Sequence, residues 1–192
     1  MTGHKQHPSA SATSPDDARS GSKLTGRSRG RELALWILCH LESHPGAERD
    51  ALDLFWREPP RLELGDDFLG PLAAELGPLL ADSAARRWSR RLVEGFLADA
   101  AGIDETIEAA SRRWRLVRMD RVDRSLLRLS TVELRGESTP RNVVVAEAVR
   151  LASRYGSERS AAFVNGVAEA LARVLRDAQP DEPDEPDEGA DP

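Results

Sequence analysis

The stretch GRSRGRELALWILCHLESH, Gly26 to His44, constrains this chain more than any other. Leu33, Trp36, Ile37, His40 and Leu41 recur at helical spacing, and Ala34, Leu38 and Cys39 make the same segment apolar around most of its girth. A helix greasy on nearly every side has to be buried by several neighbours. The rest of the chain must therefore supply a multi-helix core. Arg27, Arg29 and Arg31 stand directly before this helix, with Lys23 just upstream.

That juxtaposition admits three readings: a secretory signal, a basic membrane anchor, or a nucleic-acid-binding arm. The apolar run is barely signal length, lies behind a long polar leader, is interrupted by His40 and Glu42, and has no A-x-A cleavage site after it. No apolar stretch approaches the roughly 20 residues that span a bilayer, so a cytoplasmic protein is expected. A membrane anchor would need one exposed apolar face, which this helix is too apolar all round to leave wet. Cations at a helix N-terminus oppose the helix dipole, so purely structural arginines are badly placed there. Phosphates arriving at the same point would meet both helix amides and guanidinium donors. RNA or DNA is the preferred reading.

The net charge of −6 hides this local excess. The final stretch QPDEPDEPDEGADP carries Asp181, Glu182, Asp184, Glu185, Asp187, Glu188 and Asp191, and without it the remainder is close to neutral. Residues 1–22, rich in Ser, Gly, Ala and Pro, and the acidic residues 178–192 have too little to bury to offset their ordering entropy. Both are expected to be disordered around a single domain at 23–177. The acidic tail reads as a solubilising segment or as an RNA mimic competing for the arginines.

Between the ends every segment reads as helix. Pro45 to about Asp66 reads as a long connection, Phe68 to Leu80 as a short proline-limited helix. Ser83 is placed as the cap of AARRWSRRLVEGFLADA, with Trp88, Leu92, Phe96 and Leu97 on one face and Gly102 breaking it. Ile103, Ile107 and Trp114 share a stripe in the next helix. Asp120 is placed as the cap of RVDRSLLRLSTVEL, which Gly136 ends. Val143, Val144 and Val145 look strand-like, but Thr139 as cap, Pro140 in the first turn and the spacing of Val145, Ala148, Val149, Ala152 and Tyr155 favour helix. The final helix aligns Phe163, Val167, Leu171 and Val174. The chain reads as all-α.

Catalytic chemistry is absent from the pattern. His40 and His44 have metal-site spacing but neither the Glu after the first histidine nor a nearby third ligand, so a half-exposed helix edge explains them better. No glycine-rich phosphate loop and no nucleophile–base set can be assembled, and the single Cys39 reads as a small buried hydrophobe. No cofactor and no metal are expected.

RGRELALWILCHLE, RVDRSLLRLSTVEL, TPRNVVVAEAVRLASRYG and SAAFVNGV occur in an order and spacing that resemble the NusB family of transcription antitermination factors, from Arg27 to about Leu175. The resemblance implies an all-helical fold of two small packed bundles and no enzymatic activity. It implies a partnership with NusE, the small-subunit ribosomal protein, in recognising single-stranded boxA-type RNA of nascent ribosomal transcripts. It also implies joining NusA and NusG on the RNA polymerase elongation complex. By the resemblance, Arg27, Arg29 and Arg31 are RNA-binding; Lys23 joins them as part of the same basic arm, and Phe163 in the F-V-N-G run, with Arg159 placed just before it to reach a phosphate, are further expected RNA contacts. Asp123 falls where the family places an acidic residue facing NusE, and Cys39 stands in place of an aromatic near the partner surface. Ala146 departs from the usual Asn, and the 45–83 connection is longer than usual. A diverged paralogue, an RNA-engaging domain related to ribosomal RNA cytosine methyltransferases, and a bundle that only binds protein remain as alternatives. Replacing Arg27, Arg29 and Arg31 together is expected to leave the fold intact, on the premise that all three lie outside the buried stripe.

Overall fold

Helix α1 (Gly26–Leu41) is the axis of the molecule. This computed structural model describes residues 24–58, 70–111, 114–136 and 138–176. Thr25 caps α1, its hydroxyl accepting the Ser28 amide at 3.1 Å. Leu33, Ala34 and Ile37 are fully buried, as the girth-wide apolar pattern requires.

α1 touches more elements than an ordinary surface helix could. α4 (Ser83–Ala98) packs against it in parallel, Gly26 against Ala84 and Gly30 against Trp88. A β-carbon added at either glycine would come within 2.6 Å of its neighbour's Cβ, so the two helices approach this closely because those positions carry none. α2 (Glu48–Arg57) and α3 (Gly70–Ala81) complete the first bundle. α5 (Ala100–Ala110), α6 (Arg121–Arg135), α7 (Arg141–Tyr155) and α8 (Ser160–Arg176) form the second. α6 joins the two, running antiparallel to α1 so that Arg124 meets Glu42, Ser125 meets Cys39 and Glu133 meets Arg31.

Several boundaries differ from the sequence reading. The 45–66 connection contains α2, whose Ala51, Leu52 and Phe55 are buried on one face while every other position is polar or partly exposed. So thin an apolar stripe is hard to see in sequence. Pro59 and Pro60 lie outside the described residues. Asp82, not Ser83, caps α4, its carboxylate taking the Ala84 and Ala85 amides at 2.9 and 3.1 Å. The break after α4 falls at Asp99, which caps α5 by accepting the Gly102 amide, so Gly102 sits inside α5 rather than ending α4. α5 stops at Ala110, which leaves Trp114 exposed instead of on an inner stripe. Val174 also faces outward. Asp120 occupies the cap position of α6 without a side-chain bond, and Gly136 ends that helix as expected. Val143 to Val145 are helical, with Val144 and Val145 buried. Thr139 does not cap α7, because its hydroxyl is engaged with Glu133 at 3.1 Å. Among the described residues there is no strand, and no helix is long and apolar enough to cross a membrane.

Candidate nucleic-acid interface

The parallel packing of α1 and α4 brings both helix N-termini to one end of the molecule. Arg27, in the first turn of α1, lays its guanidinium 4.4 Å from the centre of the Trp88 ring. Arg91, one turn beyond Arg87 on α4, lies 5.6 Å from the same ring. Stacking on an indole holds a guanidinium by its face and leaves its N–H edges free for an acceptor. Arg86 and Arg90 flank the Trp56 ring in the same way, at 5.9 and 4.5 Å. Arg27, Arg86, Arg87, Arg90 and Arg91 are exposed, and none forms an ion pair with a carboxylate of the described residues.

The other arginines of the arm behave differently. Arg29 is half-buried and already engaged, 3.2 Å from the Asp82 carboxylate and donating to the Pro78 carbonyl at 2.8 Å. Arg31 overturns the expectation of an exposed arm outside the buried stripe. It is 5% exposed and grips Glu133 with two hydrogen bonds of 2.6 and 2.8 Å. The Arg31–Glu133 pair is shut away from solvent between α1, α6 and the inner side of the Trp88 ring, whose centre is 5.9 Å from the Arg31 guanidinium. Lys23 lies outside the described residues.

Arg159 and Phe163 form a separate corner. Arg159 is exposed immediately before α8, and Phe163 is half-buried with its ring edge-on to the exposed Trp114, centroids 6.1 Å apart. This corner sits by the N-terminus of α6, where Ser160 bonds Asp123, whereas Arg27 reaches toward Ser138 beyond the α6 C-terminus. The intervening length of α6 puts the two places roughly 20 Å apart. The fold thus does not gather the sequence-selected cationic and aromatic residues into one patch.

The two residues expected at a partner surface, Cys39 and Asp123, are both buried in the chain by itself. Cys39 is 7% exposed, its thiol donating to the Ser125 hydroxyl at 3.7 Å, and burial pushes its pKa up to about 11. It packs between α1 and α6 and faces no outer surface. Asp123 is 5% exposed, with one carboxylate oxygen lacking any partner. Burial holds its carboxyl above the ordinary range, opposed by the Ser160 hydroxyl bond. A residue so enclosed positions the start of α8 against α6. His40 and His44 stack at 4.6 Å, His40 against Phe55, as a helix edge.

The α4 arginines were not singled out by the sequence reading. Their signal is present in ARRWSRR, two basic pairs around one tryptophan, but the apolar stripe of the same helix dominates its pattern. An opening of about 580 Å³ lies between the bundles near the end of α1, lined by Leu38, Leu41, Glu42, Phe96, Arg124 and Arg128 among others. Arg124 and Arg128 in its wall are held by Glu42, while Arg49 at its rim is exposed.

The arrangement defines an all-helical protein with a cationic, indole-backed face suited to a polyanion. The NusB family model matches residues 29–173. A transcription antitermination protein NusB of Sorangium cellulosum is 42% identical over 159 residues, 80% of this chain and 99% of that protein. Its counterpart from Myxococcus xanthus is 38% identical over 79% of this chain and 98% of its own. Among solved structures, T. maritima NusB is 30% identical, with a TM-score of 0.57 over 78% of this chain and 92% of that one. A chain in a crystal described as a plectonemic RNA supercoil, 21% identical with a TM-score of 0.60, shares the fold. The chain belongs to the NusB family.

Proposed function

We propose that this chain is a non-enzymatic transcription antitermination factor that binds single-stranded RNA through the α1–α4 face, with Arg27 and Arg91 over Trp88 at its centre and the exposed Arg87 beside them on α4. The observation that carries this reading is the set of exposed guanidiniums with no carboxylate partner, two of them stacked on one indole. Phosphate is the ligand whose geometry matches such edges. Arg29 lies beside the same face and contributes once its Asp82 contact is exchanged for phosphate. Arg159, Phe163 and Trp114 make a second contact, an aromatic edge for an unstacked base beside one cation.

Membership of the NusB family supports the finer reading: boxA-type RNA as ligand, NusE as the paired partner, and NusA and NusG on RNA polymerase as the assembly, in the cytoplasm. Phosphate contacts set affinity and orientation, while exposed bases supply sequence information. Titrating a boxA-type oligonucleotide with and without NusE, at several salt concentrations, tests it. Arg27→Ala with Arg91→Ala should lower the slope of log affinity against log salt by about 0.7 for each phosphate no longer neutralised. An unchanged slope would move the RNA site elsewhere on the molecule, and equal binding with and without NusE would remove the partnership.

A further inference from the structure

We infer that the acidic segment Asp181 to Asp191 of this same chain docks on the arginine face of α1 and α4 and competes there with RNA. This rests on the RNA reading of that face and adds its regulation.

Complementarity of charge is the first support. The face offers Arg27, Arg86, Arg87, Arg90 and Arg91 without carboxylate partners among the described residues. The segment repeats D-E-P and carries seven carboxylates and no basic residue. Carboxylate and phosphate both accept from the guanidinium fork, so the two ligands require the same donor edges.

The tether is the second support, and it is geometric. α8 ends at Arg176, whose guanidinium donates to the carbonyls of Leu134 and Thr139, both at 2.9 Å. Ser138, the residue before Thr139, has its carbonyl 3.5 Å from the Arg27 guanidinium. The chain therefore leaves the helical domain at the loop that borders Arg27. Only Asp177 to Pro180 separate Arg176 from the first acidic pair, five residue steps that span at most about 18 Å, and each further residue of the acidic run adds at most about 3.3–3.6 Å. A ligand tethered so closely acts at an effective concentration of order millimolar. Individually weak, salt-screened carboxylate contacts then suffice to occupy the face until RNA, with its denser charge, displaces them.

The test keeps the chain at full length and changes Asp181, Asp184, Asp187 and Asp191 to Asn, and Glu182, Glu185 and Glu188 to Gln. Affinity for a boxA-type oligonucleotide should rise about tenfold near 0.1 M salt, and the gain should shrink toward nothing near 0.5 M as the carboxylate contacts are screened. Independently of RNA, backbone amide resonances of Arg27 to Gly30 and Arg86 to Arg91 should differ between the two chains at low salt and converge at high salt. Equal RNA affinity overturns the competition, whether or not resonances shift. Unshifted resonances on α1 and α4 overturn the docking, whatever the RNA result. If neither chain binds RNA, the RNA reading and the competition fall together, while the resonances still decide whether the segment sits on the arginine face.

Discussion

The two ends of α1 each gather arginines, and they are opposites. At the C-terminal end Glu42 receives Arg121, Arg124 and Arg128 at 3.6, 2.8 and 2.6 Å, and Asp104 takes Arg128 at 2.7 Å. At the N-terminal end Arg27 and Arg91 rest on Trp88 with no carboxylate between them. The first cluster clips α6 and α5 to α1 and uses its donors internally. The second has no carboxylate among the described residues to satisfy it, Arg27 reaching only the Ser138 carbonyl at 3.5 Å. Arginine density alone does not distinguish a clasp from a binding face; the placement of acids does.

The largest break of this contrast is at Arg31, which belongs to the arm by sequence and to the clasp by structure. Arg31→Ala strands a buried Glu133 and should cost about 3–5 kcal/mol in denaturant unfolding. Replacing both partners by apolar residues of similar size should recover much of it. A triple change of Arg27, Arg29 and Arg31 would therefore report unfolding as well as weakened binding.

Turning the clasp into a free cluster is the next test. Glu42→Gln with Asp104→Asn should destabilise by about 2 kcal/mol, because three guanidiniums lose charged acceptors. The same variant should gain sequence-independent, strongly salt-dependent RNA binding, measured against a scrambled oligonucleotide. No gain would show that free cations need the indole platform as well.

At the other end, Arg27→Ala should cost about 0.5–1 kcal/mol of stability, the worth of an exposed cation–π contact. Its effect should fall on RNA affinity, and thermal unfolding beside RNA titration separates the two. The smallest effect is expected at Asp123. Burial raises its carboxyl above the ordinary 3.8, so the ionised form weighs against folding at neutral pH and the penalty fades as pH falls through the raised value. Asp123→Asn should thus stabilise by about 0.5 kcal/mol near pH 7 and lose that advantage toward pH 3.8 and below, in a pH series of unfolding curves. Asp123→Lys, by contrast, would disturb the α6–α8 contact before reporting on any partner.

What the sequence by itself determined is the local and periodic part. Helix after helix follows from apolar spacing, the burial of α1 follows from grease on every side, and Pro140 with the alanines of α7 outweighs three valines in a row. The motif order that resembles the NusB family needed no coordinates either. α2 was not legible because its stripe is only three residues wide, and the Asp82 and Asp99 caps were missed because an acceptor one or three residues away competes equally well on paper. Only the tertiary structure decided which charges are free. Arg27 and Arg31 are four residues apart, chemically identical and both near Trp88, yet among the described residues one is exposed without a carboxylate and the other is buried on Glu133, 102 residues away along the chain. A side chain's charge is written in the sequence, but whether that charge stays available depends on what folding brings within about 3 Å of it.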